Sequence, residues 1–277
     1  MKIIDEDCLA ETVEFTSTFE MPVAPLEVLR RNRLGGNTPP VRLPQGRDRT
    51  VAGVGVRVFT PDHVDGVYLH VHGGGWSFGS ADGQDERLWR LALEVRLAVV
   101  SVEYRLAPEH PFPAGPDDCE TVARWLAEHA EAEFGTTRLL IGGESAGAHL
   151  SVLTLLRVPG VFQAANLVFG AYDLSTPRTA RLQRTYELFT PGMTAGQRRD
   201  PAISPLFADL TGLPPARIVV GTEDPLLDDS VALAERWQAP VRLSVVAGAP
   251  HAFTLHPLTI TERELRRERE FLAGSAT

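Results

Sequence analysis

The chain has 277 residues, 43% of them hydrophobic, enough to bury a substantial core as one large α/β domain or two small ones, and no apolar run reaches membrane-spanning length. A net charge of −9 with no basic stripe excludes binding along a phosphate backbone, and Lys2, the only lysine, excludes a P-loop or Schiff-base lysine. The acidic stretch Met1 to Asp7 lacks the apolar core of a signal peptide, and Cys8 and Cys119 lie far apart without metal-ligand spacing, so a reducing cytoplasm is the expected home.

Residues 1 to about 45 read as two helical pieces, around Glu6 to Phe19 and Leu26 to Arg33, stopped by Gly35-Gly36 and Pro39-Pro40. From Thr50 to Thr60, Val51, Val54, Val56 and Val58 interleave with Gly and Arg, which predicts an outer strand of an antiparallel start. Val67 to Val71 and Leu97 to Val102 are strands, with Leu88, Leu91 and Val95 at helical spacing between them. A helix over Asp117 to His129 leads to the apolar run Arg138 to Ile141, and a further helix begins after Ser145. Strands at Leu167 to Phe169, Ala216 to Val220 and Val241 to Val246 follow, with helices from Leu227 to Trp237 and Thr259 to Leu272. Such alternation predicts an α/β fold, a parallel sheet covered by helices on both faces. The last helix mixes charge signs at one-turn spacing, as a solvated face does. Ser175 to Asp200, with Pro177, Pro191, Gly192 and Gly196, fits no core strand. Lying after a strand, on the side where such sheets bind ligands, it is a candidate lid together with the N-terminal helices.

Gly143-Glu144-Ser145-Ala146-Gly147 sits where a strand turns into a helix. Glycine on either side of the serine permits a bend too tight for side chains and leaves the hydroxyl standing clear. A serine needs a base to take its proton and donors to hold the oxyanion. The donors are expected from His72-Gly73-Gly74-Gly75-Trp76, where consecutive glycines after a strand uncover backbone amides. His251, after the strand Val241 to Val246 and the turn Gly248-Ala249-Pro250, is the expected base; His256 lies deeper in the connection, and His149 is expected to pack on its helix. Asp224, just past Val219-Val220, is the expected acid, with Asp173 as the alternative and Asp228 and Asp229 as caps of the next helix.

From His70 to Phe253 the chain resembles the hormone-sensitive-lipase-like branch of the α/β-hydrolase esterases. The resemblance rests on His72 to Trp76, Tyr104 to Ala114, Gly143 to Gly147, Asp200-Pro201 with Ser204-Pro205-Leu206, Asp224-Pro225-Leu226 with Asp228, and His251 with Phe253. It implies one α/β-hydrolase domain over residues 1–277, with a mostly parallel twisted sheet and lid elements from about 1–45 and 175–200. It implies Ser145 as nucleophile, Asp224 and His251 as its partners, and Gly74, Gly75 and Ala146 as amide donors to the oxyanion. By the same resemblance Tyr104 to Ala114 is structural, with Glu109 and His110 as buried braces and Asp117 and Asp118 similar. The implied reaction is hydrolysis of small, short-chain acyl esters through an acyl-enzyme, without metal or cofactor, and pairing as a homodimer through a sheet edge is a habit of the family. Glu144 stands where the family has Asp, and Ala148-His149 where it has Gly-Asn; Ser145 to Leu150 is also similar to arylformamidase-type hydrolases of N-formyl amides. A non-catalytic receptor on the same fold would lack His251, which is present.

Overall fold

The computed structural model of the chain describes residues 2–5, 8–18 and 41–274. In chain order the strands are β1 (Lys2–Asp5), β2 (Arg47–Val51), β3 (Val54–Phe59), β4 (Gly66–Val71), β5 (Leu97–Glu103), β6 (Leu139–Glu144), β7 (Ala164–Val168), β8 (Ala216–Gly221) and β9 (Val241–Val246). They form one sheet in the order β1-β9-β8-β7-β6-β4-β5-β3-β2, parallel except where β3 meets β5 and β2 meets β3. The central strands are buried along their whole length because helices cover both faces, so neither face alternates with solvent. On one face lie α2 (Asp85–Val95) and α8 (Thr259–Leu272), whose Leu88, Leu91, Phe271 and Leu272 meet Phe59, Tyr68 and Leu97. On the other lie α3 (Ala114–Phe134), α4 (Ala146–Arg157) and α7 (Leu227–Arg236).

Three local features depart from the sequence reading. The stretch expected as one outer strand is a hairpin, because Ala52 and Gly53 both take positive φ and turn the chain between β2 and β3. At the other edge, β1 pairs in parallel with β9, ahead of α1 (Leu9–Thr18). The helix expected over Leu26 to Arg33 lies outside the described residues. The third departure is α8: Glu264 and Glu268 are buried in contact with the sheet, so that helix is not a fully solvated face.

The sheet gathers the C-terminal ends of β4, β6, β7, β8 and β9 side by side. Every segment singled out for chemistry leaves the sheet at that end, which is where a crevice for ligands forms in α/β folds.

Candidate active site

Ser145 occupies the turn between β6 and α4 with φ 55° and ψ −116°, a conformation that a residue with a Cβ rarely adopts. Its own amide donates to Val168 O at 2.8 Å, pinning the bend to β7. The flanking glycines are forced by proximity. A Cβ on Gly143 or Gly147 would lie 2.0 or 1.9 Å from Val71 O, so any side chain would drive β4 away from the elbow. Ala146 is the first residue of α4, and its amide therefore has no partner within the helix and stands at the positive end of the helix dipole.

The structure brings Ser145, His251 and Asp224 into one line. His251 Nε2 lies 3.0 Å from Ser145 Oγ, and His251 Nδ1 lies 2.8 Å from Asp224 Oδ2. A carboxylate can only accept, so Nδ1 carries the proton and Nε2 is left to accept from the serine hydroxyl. The Asp224 side chain is fully buried, its second oxygen accepting from Leu226 N at 2.8 Å, whereas the His251 side chain keeps 15% exposure. Phe169, at the end of β7, packs edge-on against the imidazole at 4.9 Å and limits its swing. From the other side α1 steadies the turn before His251, with Thr12 Oγ1 donating to Ala247 O (2.7 Å) and Thr16 Oγ1 to Gly248 O (2.6 Å).

The glycine loop after β4 lies against the elbow. A Cβ on Gly73 would sit 2.9 Å from Glu144 O and 3.6 Å from Ser145 Cβ. Gly74 and Gly75 take φ of +119° and +55°, a left-handed path that only glycine follows without strain and that turns the backbone round beside Ser145. Over this loop lies α5 (Ala180–Phe189), part of the segment that fits no core strand: a Cβ on Gly75 would meet Thr185 Cγ2 at 2.6 Å. That segment continues into the short α6 (Ala195–Arg198).

The Tyr104 to Ala114 block ties this loop to the body. Tyr104 stacks on His72 at 4.2 Å and donates from its hydroxyl to His72 O, and Ala107 N donates to Trp76 O at 2.8 Å. The expected braces inside the block are corrected, however. Glu109 and His110 are exposed, as is Asp117, and the buried brace is Asp118, which accepts from the Arg105 amide and guanidinium. Among the remaining candidates, Asp173 accepts from Ser175, and His256 packs its ring on Phe15 at 4.8 Å. Asp229 does not cap α7; it reaches across to accept from the amides of Tyr172 and Asp173, and burial pushes its carboxyl up to about 6.

Sequence reasoning missed a polar cluster beneath the elbow. Glu144 points away from Ser145, toward the α2 and α8 face, and binds Arg87, His70 Nε2 (3.1 Å) and Gln84 Nε2 (3.2 Å). Arg87 also binds Glu268 at 2.8 Å, Asn166 links Glu268 to Arg217, and Arg217 reaches Glu264. Burial alone would raise the Glu144 carboxyl, but Arg87 and His70 outweigh it and hold it well below the ordinary carboxylate range. One signal was available: Ile260, Glu264, Glu268 and Phe271 recur at one-turn spacing and therefore share a buried helix face. Among the described residues no group of three or more His, Cys, Asp or Glu is arranged to hold a metal ion, and no helix is long and apolar enough to cross a membrane.

With this geometry in view, residues 68–255 match the family model of the α/β-hydrolase fold. Carboxylesterase NlhH of Mycobacterium tuberculosis is 36% identical over 241 residues, covering 76% of this chain and 75% of that protein. Ethyl acetate hydrolase of Pseudomonas putida is 32% identical over 242 residues, covering 79% and 72%. The crystal structure of a hormone-sensitive lipase from a metagenome library matches with a TM-score of 0.81 at 26% identity, over 97% of both chains.

Proposed function

The chain belongs to the hormone-sensitive-lipase-like branch of the α/β-hydrolase family, and we infer that it is a carboxylesterase that forms an acyl-enzyme on Ser145. The supporting observation is the pair of hydrogen bonds from Ser145 through His251 to Asp224, set beside the glycine loop. In this reading Ser145 Oγ attacks the ester carbonyl carbon while His251 Nε2 takes its proton. Negative charge on the carbonyl oxygen is held by the amides of Gly74, Gly75 and Ala146, which need no reorganisation as it develops. The tetrahedral carbon then expels the alcohol, protonated by His251, and leaves the acyl group on Ser145. Water, deprotonated by the same imidazole, attacks that acyl group and releases the acid. Asp224 keeps the imidazole in the tautomer that can accept, and stabilises the imidazolium formed at each step.

For substrate we propose small esters with short acyl chains. The relatives' names favour an ester over an N-formyl amide, one of them being named for ethyl acetate, and Thr185 of α5 fills the space a side chain at Gly75 would take. Turnover of p-nitrophenyl acetate, butyrate, octanoate and palmitate tests this. We expect acetate or butyrate to be fastest, and fastest turnover on palmitate would contradict it. The unpaired Cys8 and Cys119 fit a reducing compartment such as the cytoplasm.

A further inference from the structure

Trp76 closes the glycine loop in an unusual state. Its φ is +56°, directly after two glycines that also have positive φ. For a bulky side chain this is an outlier that persists only when its surroundings over-determine it. The surroundings here are specific. Its carbonyl accepts from Ala107 N, its ring stacks on Phe189 at 4.6 Å, and its indole N–H donates to His149 Nδ1 at 3.1 Å. Both Trp76 and His149 are buried, so this N–H has no recourse to solvent.

His149 is fitted to that task. It lies on α4 four residues after Ser145, and its amide donates to Ser145 O at 3.1 Å. Its Nε2 lies 2.7 Å from Ile203 O, an oxygen that can only accept. Nε2 therefore carries the proton and Nδ1 presents a lone pair, the one tautomer that can receive the indole N–H. Burial pushes this imidazole down to about 4, so it stays neutral and keeps its acceptor at any working pH. The ring thus joins the helix that carries Ser145 to the loop that carries Gly74 and Gly75.

We propose that His149 is a positioning residue for the oxyanion-binding loop, fixing the glycine amides against Ser145 through its hydrogen bond to Trp76. The proposal rests on reading Ser145 as the nucleophile and Gly74 and Gly75 as oxyanion donors. An effect on the donors is felt in the transition state and not in substrate binding, so it lowers kcat and spares KM. Loss of a whole oxyanion donor costs about 10²- to 10³-fold, and misplacing one should cost less.

The test uses steady-state kinetics on p-nitrophenyl butyrate and the affinity of an aliphatic trifluoromethyl ketone, which forms a tetrahedral adduct on serine. His149→Leu should lower kcat about 10- to 100-fold, leave KM within about twofold, and weaken the ketone by the same factor as kcat. His149→Gln, whose amide can accept from Trp76 and donate to Ile203, should restore most of the loss. Trp76→Phe removes the N–H and keeps a ring, and should match His149→Leu; the double variant should be no worse than either. If His149→Leu does not fold, Trp76→Phe and His149→Gln carry the test alone. Unchanged kcat in Trp76→Phe, a rise in KM without loss of kcat, or additive losses in the double variant would overturn the proposal. Turnover surviving in Ser145→Ala would overturn the nucleophile reading and this proposal with it. Full dependence on Ser145 with an indifferent Trp76 overturns this proposal alone.

Discussion

Ser145, His251 and Asp224 form one hydrogen-bonded relay of serine, imidazole and carboxylate; Ser101, His70 and Glu144 form another on the opposite side of the same elbow. In the second, Ser101 Oγ lies 3.1 Å from His70 Nδ1, and His70 Nε2 lies 3.1 Å from Glu144. The order of serine, imidazole and carboxylate is the same and the distances nearly so, with the two ring nitrogens exchanged. What differs is setting. Ser101, His70 and Glu144 are 0%, 1% and 3% exposed, Ser101 lies within β5, and the carboxylate is neutralised by Arg87. Ser145 stands at a strained turn at the strand ends, beside a helix N-terminus and a glycine loop, with an imidazole that solvent and substrate can reach. Under the proposed mechanism a serine, a histidine and an acid in hydrogen-bonded sequence are therefore insufficient for catalysis, and access and amides aimed at the developing charge complete the machine. The buried relay is placed for structural work, holding the residue next to Ser145.

Substitutions in matched positions can break this comparison. The largest contrast is between the serines. Ser145→Ala should lower kcat by about 10⁶-fold with little change in Tm, whereas Ser101→Ala should stay within a few-fold in kcat and cost about 1 kcal/mol of stability. Measuring both on p-nitrophenyl butyrate decides it, and a comparable loss in Ser101→Ala would erase the distinction. Next come the acids. Asp224→Asn should lower kcat about 10⁴-fold, with stability nearly kept. Glu144→Gln leaves Arg87 short of a buried partner and should show chiefly in denaturant unfolding, as a loss of about 3 kcal/mol.

How far each relay could be read from sequence follows from its physics. The elbow is legible because its sterics dictate residue types: the nearness of Val71 O admits only glycine at 143 and 147. Asp224 and His251 are legible because each leaves the end of a predicted strand, in the chain order of these hydrolases. The buried cluster is not. Glu264 and Glu268 lie among arginines at one-turn spacing, a pattern that also describes a wet helix, and their partners Arg217 and Arg87 come from distant elements. β1 was hidden for the same reason, since Lys2 pairs beside Leu243, at the far end of the chain. Glu109 and His110 show the reverse error: they sit in a structural motif, yet it is Asp118 that goes inside. Departures from the family pattern at 144 and 149 mark positions where the chain supplies its own buried contacts.

A smaller effect sharpens the contrast between buried and working imidazoles. His149, held near 4 by burial, stays neutral in the folded protein while the unfolded chain takes up its proton below about 6.5. Its stabilising contribution is thus complete above about 6.5 and is lost as pH falls toward 4. Asp229, raised to about 6, works in the opposite direction, its contribution being lost as pH rises through that value. Comparing wild type with His149→Gln cancels Asp229 and Glu144 and isolates the histidine. Between pH 7 and 4.5 the variant should gain on wild type by about 2 to 3 kcal/mol, read by urea unfolding at the two values; a constant difference would mean that His149 is not held neutral.

The exposed relay, and not the buried one, is expected to form the acyl-enzyme. Labelling the protein with a fluorophosphonate and sequencing the modified peptide by mass spectrometry tests it most directly. Trypsin releases Leu139 to Arg157 as one peptide holding Ser145 and Ser151, so fragmentation must separate the two. A single adduct on Ser145, formed in step with loss of esterase turnover, is expected. An adduct on any other serine, or turnover abolished with Ser145 unmodified, would contradict it.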